Sequence, residues 1–175
     1  MKNFLRIMTI ALTNLIFLLN TEAQEKFIEG KQTMGDRTFE IRISKINPER
    51  MWVTTRLPQY KNGYPLPETP TPPMPLQKGD LNVDTTTEKT IIHQVLKHKL
   101  EKLKKNNEQI TIHYVFGQDG NIVDIESFSF PKNTLITPKE LYMIDKRLRK
   151  DVKATFKGRE YLEHPVIFYG REIWF

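Results

Sequence analysis

The chain of 175 residues contains no cysteine. That absence excludes a disulfide framework, a cysteine nucleophile, a zinc–thiolate site and an iron–sulfur cluster. It also excludes lipid anchoring on a processed N-terminal cysteine. Serine is nearly as scarce. Ser44, Ser127 and Ser129 are the only three, and none stands in a Gly-x-Ser-x-Gly turn. The eight glycines form no loop that could cradle a phosphate. Histidine occurs four times, as His93, His98, His113 and His164. His93 and His98 are five apart on a predicted helix and point to different sides, whereas metal ligands prefer a spacing of about three or four. No metal and no cofactor are expected, and an enzyme is the weaker class of function.

Long apolar runs are also missing. The longest, Ile7–Leu19, follows the basic residues Lys2 and Arg6 and is interrupted by Thr9, Thr13 and Asn14. A membrane-spanning helix needs about 20 apolar residues. The run reads instead as the core of a secretory leader spanning 1–23, cleaved after Ala23. The expected location is the periplasm or the exterior of a Gram-negative bacterium, with no stable membrane anchor after cleavage. The mature part keeps 25 positive and 20 negative side chains. An exported chain without disulfides must be held by its core alone, and about 150 residues suffice for that.

What is present is organised in blocks. Residues 24–57 read as β-rich: Phe39, Ile41 and Ile43 alternate with Glu40, Arg42 and Ser44, the period of a half-buried strand. Asn47-Pro48-Glu49-Arg50 predicts a turn, and Met51–Thr55 the returning strand. A further strand is expected near Phe27–Gln32, turning at Gly35-Asp36. Residues 58–83 form a connector holding seven of the eleven prolines, which excludes helix and central strand. It is expected to lie extended over the surface, tacked down by residues such as Tyr60, Tyr64, Leu66 and Met74.

Residues 84–175 predict the order α-β-β-α-β. Thr85-Thr86-Thr87-Glu88 has capping-box spacing, and Ile92, Leu96, Leu100 and Leu103 mark one helical face ending at Asn106-Asn107. Ile110–Phe116 and Ile122–Phe130 flank Asp119-Gly120, a hairpin signal. A two-residue turn there pairs Tyr114 with Ile125 and His113 with Glu126. It places Ile110, Ile112, Tyr114 and Phe116 on the core face with Val123, Ile125, Ser127 and Ser129, and leaves Phe128 and Phe130 out of pattern unless a bulge intervenes. Thr137, Pro138 and Glu140 form a second capping box, and Leu141, Ile144, Leu148 and Val152 one stripe behind it. Pro165–Phe175 is a closing β-run. The fold class is therefore α+β, a mainly antiparallel sheet with two helices on one face.

The stretch Ile110-Thr111-Ile112-His113-Tyr114-Val115-Phe116-Gly117-Gln118-Asp119-Gly120-Asn121-Ile122-Val123-Asp124-Ile125, the helix after it, and the passage from Thr155-Phe156-Lys157-Gly158 to His164-Pro165-Val166-Ile167-Phe168 resemble the periplasmic C-terminal domain of TonB-type energy transducers. The resemblance implies the same strand–turn–strand–helix–strand order. It also implies a sheet edge that engages receptor peptides.

The functional expectation is a non-catalytic envelope module that binds a peptide or protein by strand addition. Its edge candidates are Val166, Phe168, Tyr169, Arg171, Ile173 and Trp174. A second copy, forming a homodimer, is a further candidate partner; export excludes nucleic acid. Two other readings stay open. His113 opposite Glu126 has the composition of an acid–base pair for a hydrolase or lyase. Lys97, Lys104, Lys105, Arg147 and Lys150 on the outer sides of the two helices offer a positive surface for anionic envelope surfaces.

Overall fold

The computed structural model describes residues 26–67, 79–158 and 160–175. The expected leader and the prolines Pro70, Pro72, Pro73 and Pro75 lie outside the described residues. Gly30–Met34 (β1) and Arg37–Ile43 (β2) meet at the Gly35-Asp36 turn. The Asn47–Arg50 turn is closed by the Arg50 N–H donating to the Asn47 carbonyl at 2.9 Å, and Arg50–Thr54 (β3) returns from it. The end of the expected connector is itself a strand, Leu81–Val83 (β4), and after it come the helices Thr85–Val95 (α1) and Leu100–Lys105 (α2), and the hairpin Gln109–Gly117 (β5) with Ile122–Pro131 (β6). Helix Pro138–Asp151 (α3), Ala154–Phe156 (β7) and Val166–Trp174 (β8) complete the order.

One antiparallel sheet runs β1-β2-β3-β6-β5-β8, and β4 pairs with β7 in a second, small one. Because β3 pairs with β6, the N-terminal strands extend the main sheet. The helices cover one face of it. Ile92, Leu96, Leu103, Leu141, Ile144 and Leu148 are fully buried in one cluster with Phe39, Ile41, Val53, Ile110, Ile112 and Phe128. The α+β architecture is thus as expected, with three helices where two were expected.

Local chemistry explains the helix ends. Thr137 caps α3 through a complete capping box: its hydroxyl accepts the Glu140 N–H at 3.3 Å, and the Glu140 carboxylate accepts the Thr137 N–H at 2.7 Å. Thr137→Ala is expected to lower stability by about 1 kcal/mol in urea denaturation, since one of two reciprocal bonds is lost. The stop at Asn106-Asn107 is a Schellman motif. Asn107 is left-handed at φ 50°, and the N–H groups of Glu108 and Asn107 donate to the carbonyls of Leu103 and Lys104, both at 3.0 Å.

Two expectations about the first helix are corrected. Asp84, not Thr85, is the N-cap, accepting the Thr87 N–H at 3.0 Å. Glu88 does not close a box; it is fully buried and turned to the sheet, where the Tyr114 hydroxyl donates to it at 2.8 Å. Nor is the helix continuous to Asn106. The chain turns between Leu96 and Lys99, which aims the Lys99 ammonium at the Leu135 carbonyl and the Glu140 carboxylate, at 2.7 and 2.8 Å. The turn lets Leu96 and Leu103 both reach the core.

The β5–β6 register is also corrected. The Gly117 N–H donates to the Asn121 carbonyl at 2.9 Å, so three residues, not two, make the loop, with Gly120 left-handed at its end. Tyr114 does pair with Ile125. Beyond it a bulge leaves Glu126 unpaired, so His113 faces Ser127 and Ile112 faces Phe128. The bulge is the reason Phe128 and Phe130 point into the core while Ser127 and Ser129 turn to the opposite face.

Candidate functional site

The face of the sheet away from the helices is built by that bulge. Trp52 on β3 lies opposite Ser129 on β6, and His113 on β5 lies opposite Ser127. β3 and β5 are separated by β6, roughly 10 Å apart across two strand spacings. Yet the rings of Trp52 and His113 stack, with centroids 5.0 Å apart and 28° between planes. Only side chains as small as serine on β6 leave room for the indole to lie across it, and both serines are buried beneath. Arg50 lies across β6 in the same way. Its guanidinium donates to the Ser129 hydroxyl at 3.1 Å and to the Thr111 hydroxyl at 3.2 Å.

The other end of this face is capped by the connector. Tyr64 packs edge-on against Phe168 at 5.2 Å and 82°, and Arg56 sits over the Tyr64 ring at 4.9 Å. The Tyr64 hydroxyl donates to Asp124 at 2.9 Å, which together with burial raises its pKa. Tyr60 and Tyr64 therefore tack the connector down as expected, their rings 5.0 Å apart.

His113 and Glu126 do not lie opposite each other as the two-residue turn would place them. Glu126 stands in the bulge and is ion-paired with Arg56. The His113 Nε2 is buried with no hydrogen-bond partner. Burial against Trp52 pushes the imidazole pKa down, against a weaker pull from the Glu126 charge.

β8 is the last strand of the sheet, so among the described residues one of its edges has no strand neighbour. It pairs with β5 without interruption from Gln109↔Trp174 to Gly117↔Val166. The Phe175 N–H donates to the Glu108 carbonyl at 3.2 Å, which fixes the parity of the ladder. Ile167, Tyr169, Arg171 and Ile173 turn their backbone groups to β5; those of Phe168, Gly170, Glu172 and Trp174 turn outward. Phe168 and Trp174, at 52% and 60% exposure, flank this edge.

The six expected edge residues therefore separate. Phe168 and Trp174 stay exposed on the open face, Phe168 with Tyr64 against one side of its ring. Ile173 is buried in the core and Tyr169 packs against it. Arg171 is held by Glu88 in an ion pair beneath the sheet, and Val166 is half-buried. Sequence reasoning missed Trp52, Arg50, Gly170 and Glu172. Trp52 was within reach of it, because Trp52 alternates with Met51 and Val53 and so must face away from the core. Lys97, Lys104, Lys105, Arg147 and Lys150 are all exposed, and Lys104 is paired with Glu101 at 2.9 Å. Among the described residues no three His, Asp or Glu side chains are grouped to hold a metal, and no helix is long and apolar enough to cross a membrane.

No family model matches the chain, and no curated protein matches it. A solved structure is similar to it: a DUF5043 family protein from Bacteroides uniformis, at a TM-score of 0.63 and 10% sequence identity. The alignment covers 89% of this chain and 92% of that one. At that identity the similarity shows the fold and nothing further.

Proposed function

We propose that the chain is a non-catalytic, exported binding module that takes an extended segment of an envelope protein onto β8. The observation that carries this reading is the β8 edge, unpaired among the described residues, with the outward backbone of Phe168, Gly170, Glu172 and Trp174 between two exposed aromatic rings. An added strand would gain main-chain hydrogen bonds from the edge and apolar contact from Phe168 and Trp174. The resemblance of Ile110–Phe168 to TonB-type C-terminal domains supports the same mode. So does the character of the leader, which supports export.

Edge strands usually carry a block against such pairing, a proline or an inward charge. β8 carries no proline; its charges are Arg171, turned inward and ion-paired with Glu88, and Glu172, and Gly170 leaves its centre bare. Glu172→Pro supplies the missing proline. It removes an outward N–H and leaves the β5 ladder intact, so the fold is expected to persist. Periplasmic segments of outer-membrane receptors, titrated as peptides into residues 24–175, are expected to shift the amide signals of 166–175. Glu172→Pro is expected to weaken that binding at least about tenfold with an unchanged circular dichroism spectrum. Peptide shifts confined to other regions, or binding unaffected by the proline, would overturn the proposal.

A further inference from the structure

We infer that a second site, distant from β8, binds a small amphipathic anion with an aliphatic body. It is a cavity of about 390 Å³ between the N-terminal segment, the β2–β3 hairpin and the 132–136 connection to α3. That volume is within the usual range for small-molecule sites, about 300–1,000 Å³. Its lining is mixed, the apolar part formed by residues such as Phe27, Ile43, Met51 and Ile136. Phe27 is fixed there by its ring contact with Phe130 at 4.9 Å, so the wall is a packed part of the fold.

The polar lining is unequal in sign. Lys26 and Lys132 both line the cavity, and neither ammonium has an acidic partner among the described residues. The one carboxylate, Glu29, is turned to the Ile43 N–H at 3.5 Å. An apolar body would be sheltered by the walls, and an anionic head would meet two cations. A cation would meet two like charges with only Glu29 to offset them. The chemistry that fits is therefore an aliphatic carboxylate or a similar single-headed anion.

β1, β2 and β3 lie at the opposite side of the sheet from β8, so this site and the strand-addition edge are separable. The probe is decanoate below its micelle concentration, with 1-decanol as the uncharged control. Decanoate is expected to give saturable methyl shifts at Ile43, Met51 and Ile136 and to leave the amides of 166–175 unmoved. Lys26→Ala/Lys132→Ala, at exposed positions, is expected to weaken decanoate roughly tenfold, as is loss of the charge in decanol. Ile43→Trp is expected to fill the cavity and abolish the shifts. The absence of saturable shifts at these methyls would overturn the inference, and so would equal affinity in the double-lysine variant. Should Ile43→Trp fail to fold, the lysine variant decides alone.

Discussion

Replacing Gly120 with alanine is expected to cost the fold about 3 kcal/mol, far more than a turn glycine normally commands. Gly120 has φ 76°, where an L side chain is strained by about 1 kcal/mol or more. The larger part is steric. A Cβ at this position would sit 2.0 Å from the Ala154 carbonyl oxygen. That oxygen cannot swing aside as a side chain would. Ala154 is held on β7 opposite Val83, and its N–H donates to the Gly120 carbonyl at 2.8 Å. Relief requires moving the β5–β6 loop away from the end of α3 and breaking the Asn121–Lys153 bridge. Gly63→Ala is the control. Gly63 also has a positive φ, 118°, but open space where its Cβ would stand, so its loss, about 1–2 kcal/mol, is backbone strain with no clash added. Urea denaturation of both variants separates the terms. Equal losses would show that the Ala154 contact is not the cause.

Gly120 also marks how far the sequence carries. Asp119-Gly120 announces a hairpin because the turn is local, and Thr137 with Glu140 announces a helix for the same reason. The Asn106-Asn107 stop works by bonds reaching only a few residues back. Other features depend on partners that local patterning does not contain. Glu88 reads as a capping residue until Arg171, 83 residues away, claims its carboxylate. The bulge at Glu126 is set by the Arg56 ion pair and by the core's need for Phe128, neither of which appears in the hairpin's own sequence. The candidate site divides along the same line. Phe168 and Trp174 belong to a visible β-run, and their side of the strand follows from alternation. That β8 ends the sheet follows only from the pairing of β3 with β6, which period and turn chemistry leave open.

Arg149→Met is expected to destabilise the protein by about 3–5 kcal/mol, the range for breaking a buried ion pair from one side. The Arg149 guanidinium is 14% exposed and bonds to four residues at once. It donates to Asp145 at 2.9 Å on its own helix and to Asp124 in β6. It also donates to the carbonyls of Thr55 and Ile125, both at 2.9 Å. Asp124 and Asp145 are both fully buried. Without Arg149, Asp145 keeps Arg37 as its cation, and Asp124 keeps only the Tyr64 hydroxyl and the Leu57 N–H as donors. Methionine replaces the lost volume, so the loss reports charge and hydrogen bonding rather than a cavity.

The pH dependence separates that cause from mere packing. Burial raises the Asp145 pKa above its ordinary value, against the opposing pull of Arg149 and Arg37. A carboxyl raised in the folded state contributes stability fully below its unfolded pKa and loses it as the pH rises through the folded one. Removing Arg149 removes the first-named opposing charge, so the Asp145 pKa climbs further in the variant. The variant then loses more stability than the parent between mildly acidic and neutral pH. Urea denaturation at about pH 5 and about pH 8 is expected to show the gap widening with pH. A gap independent of pH would mean that the Asp145 carboxylate is not what Arg149 stabilises, and that its other bonds, among them those to the Thr55 and Ile125 carbonyls, carry the effect.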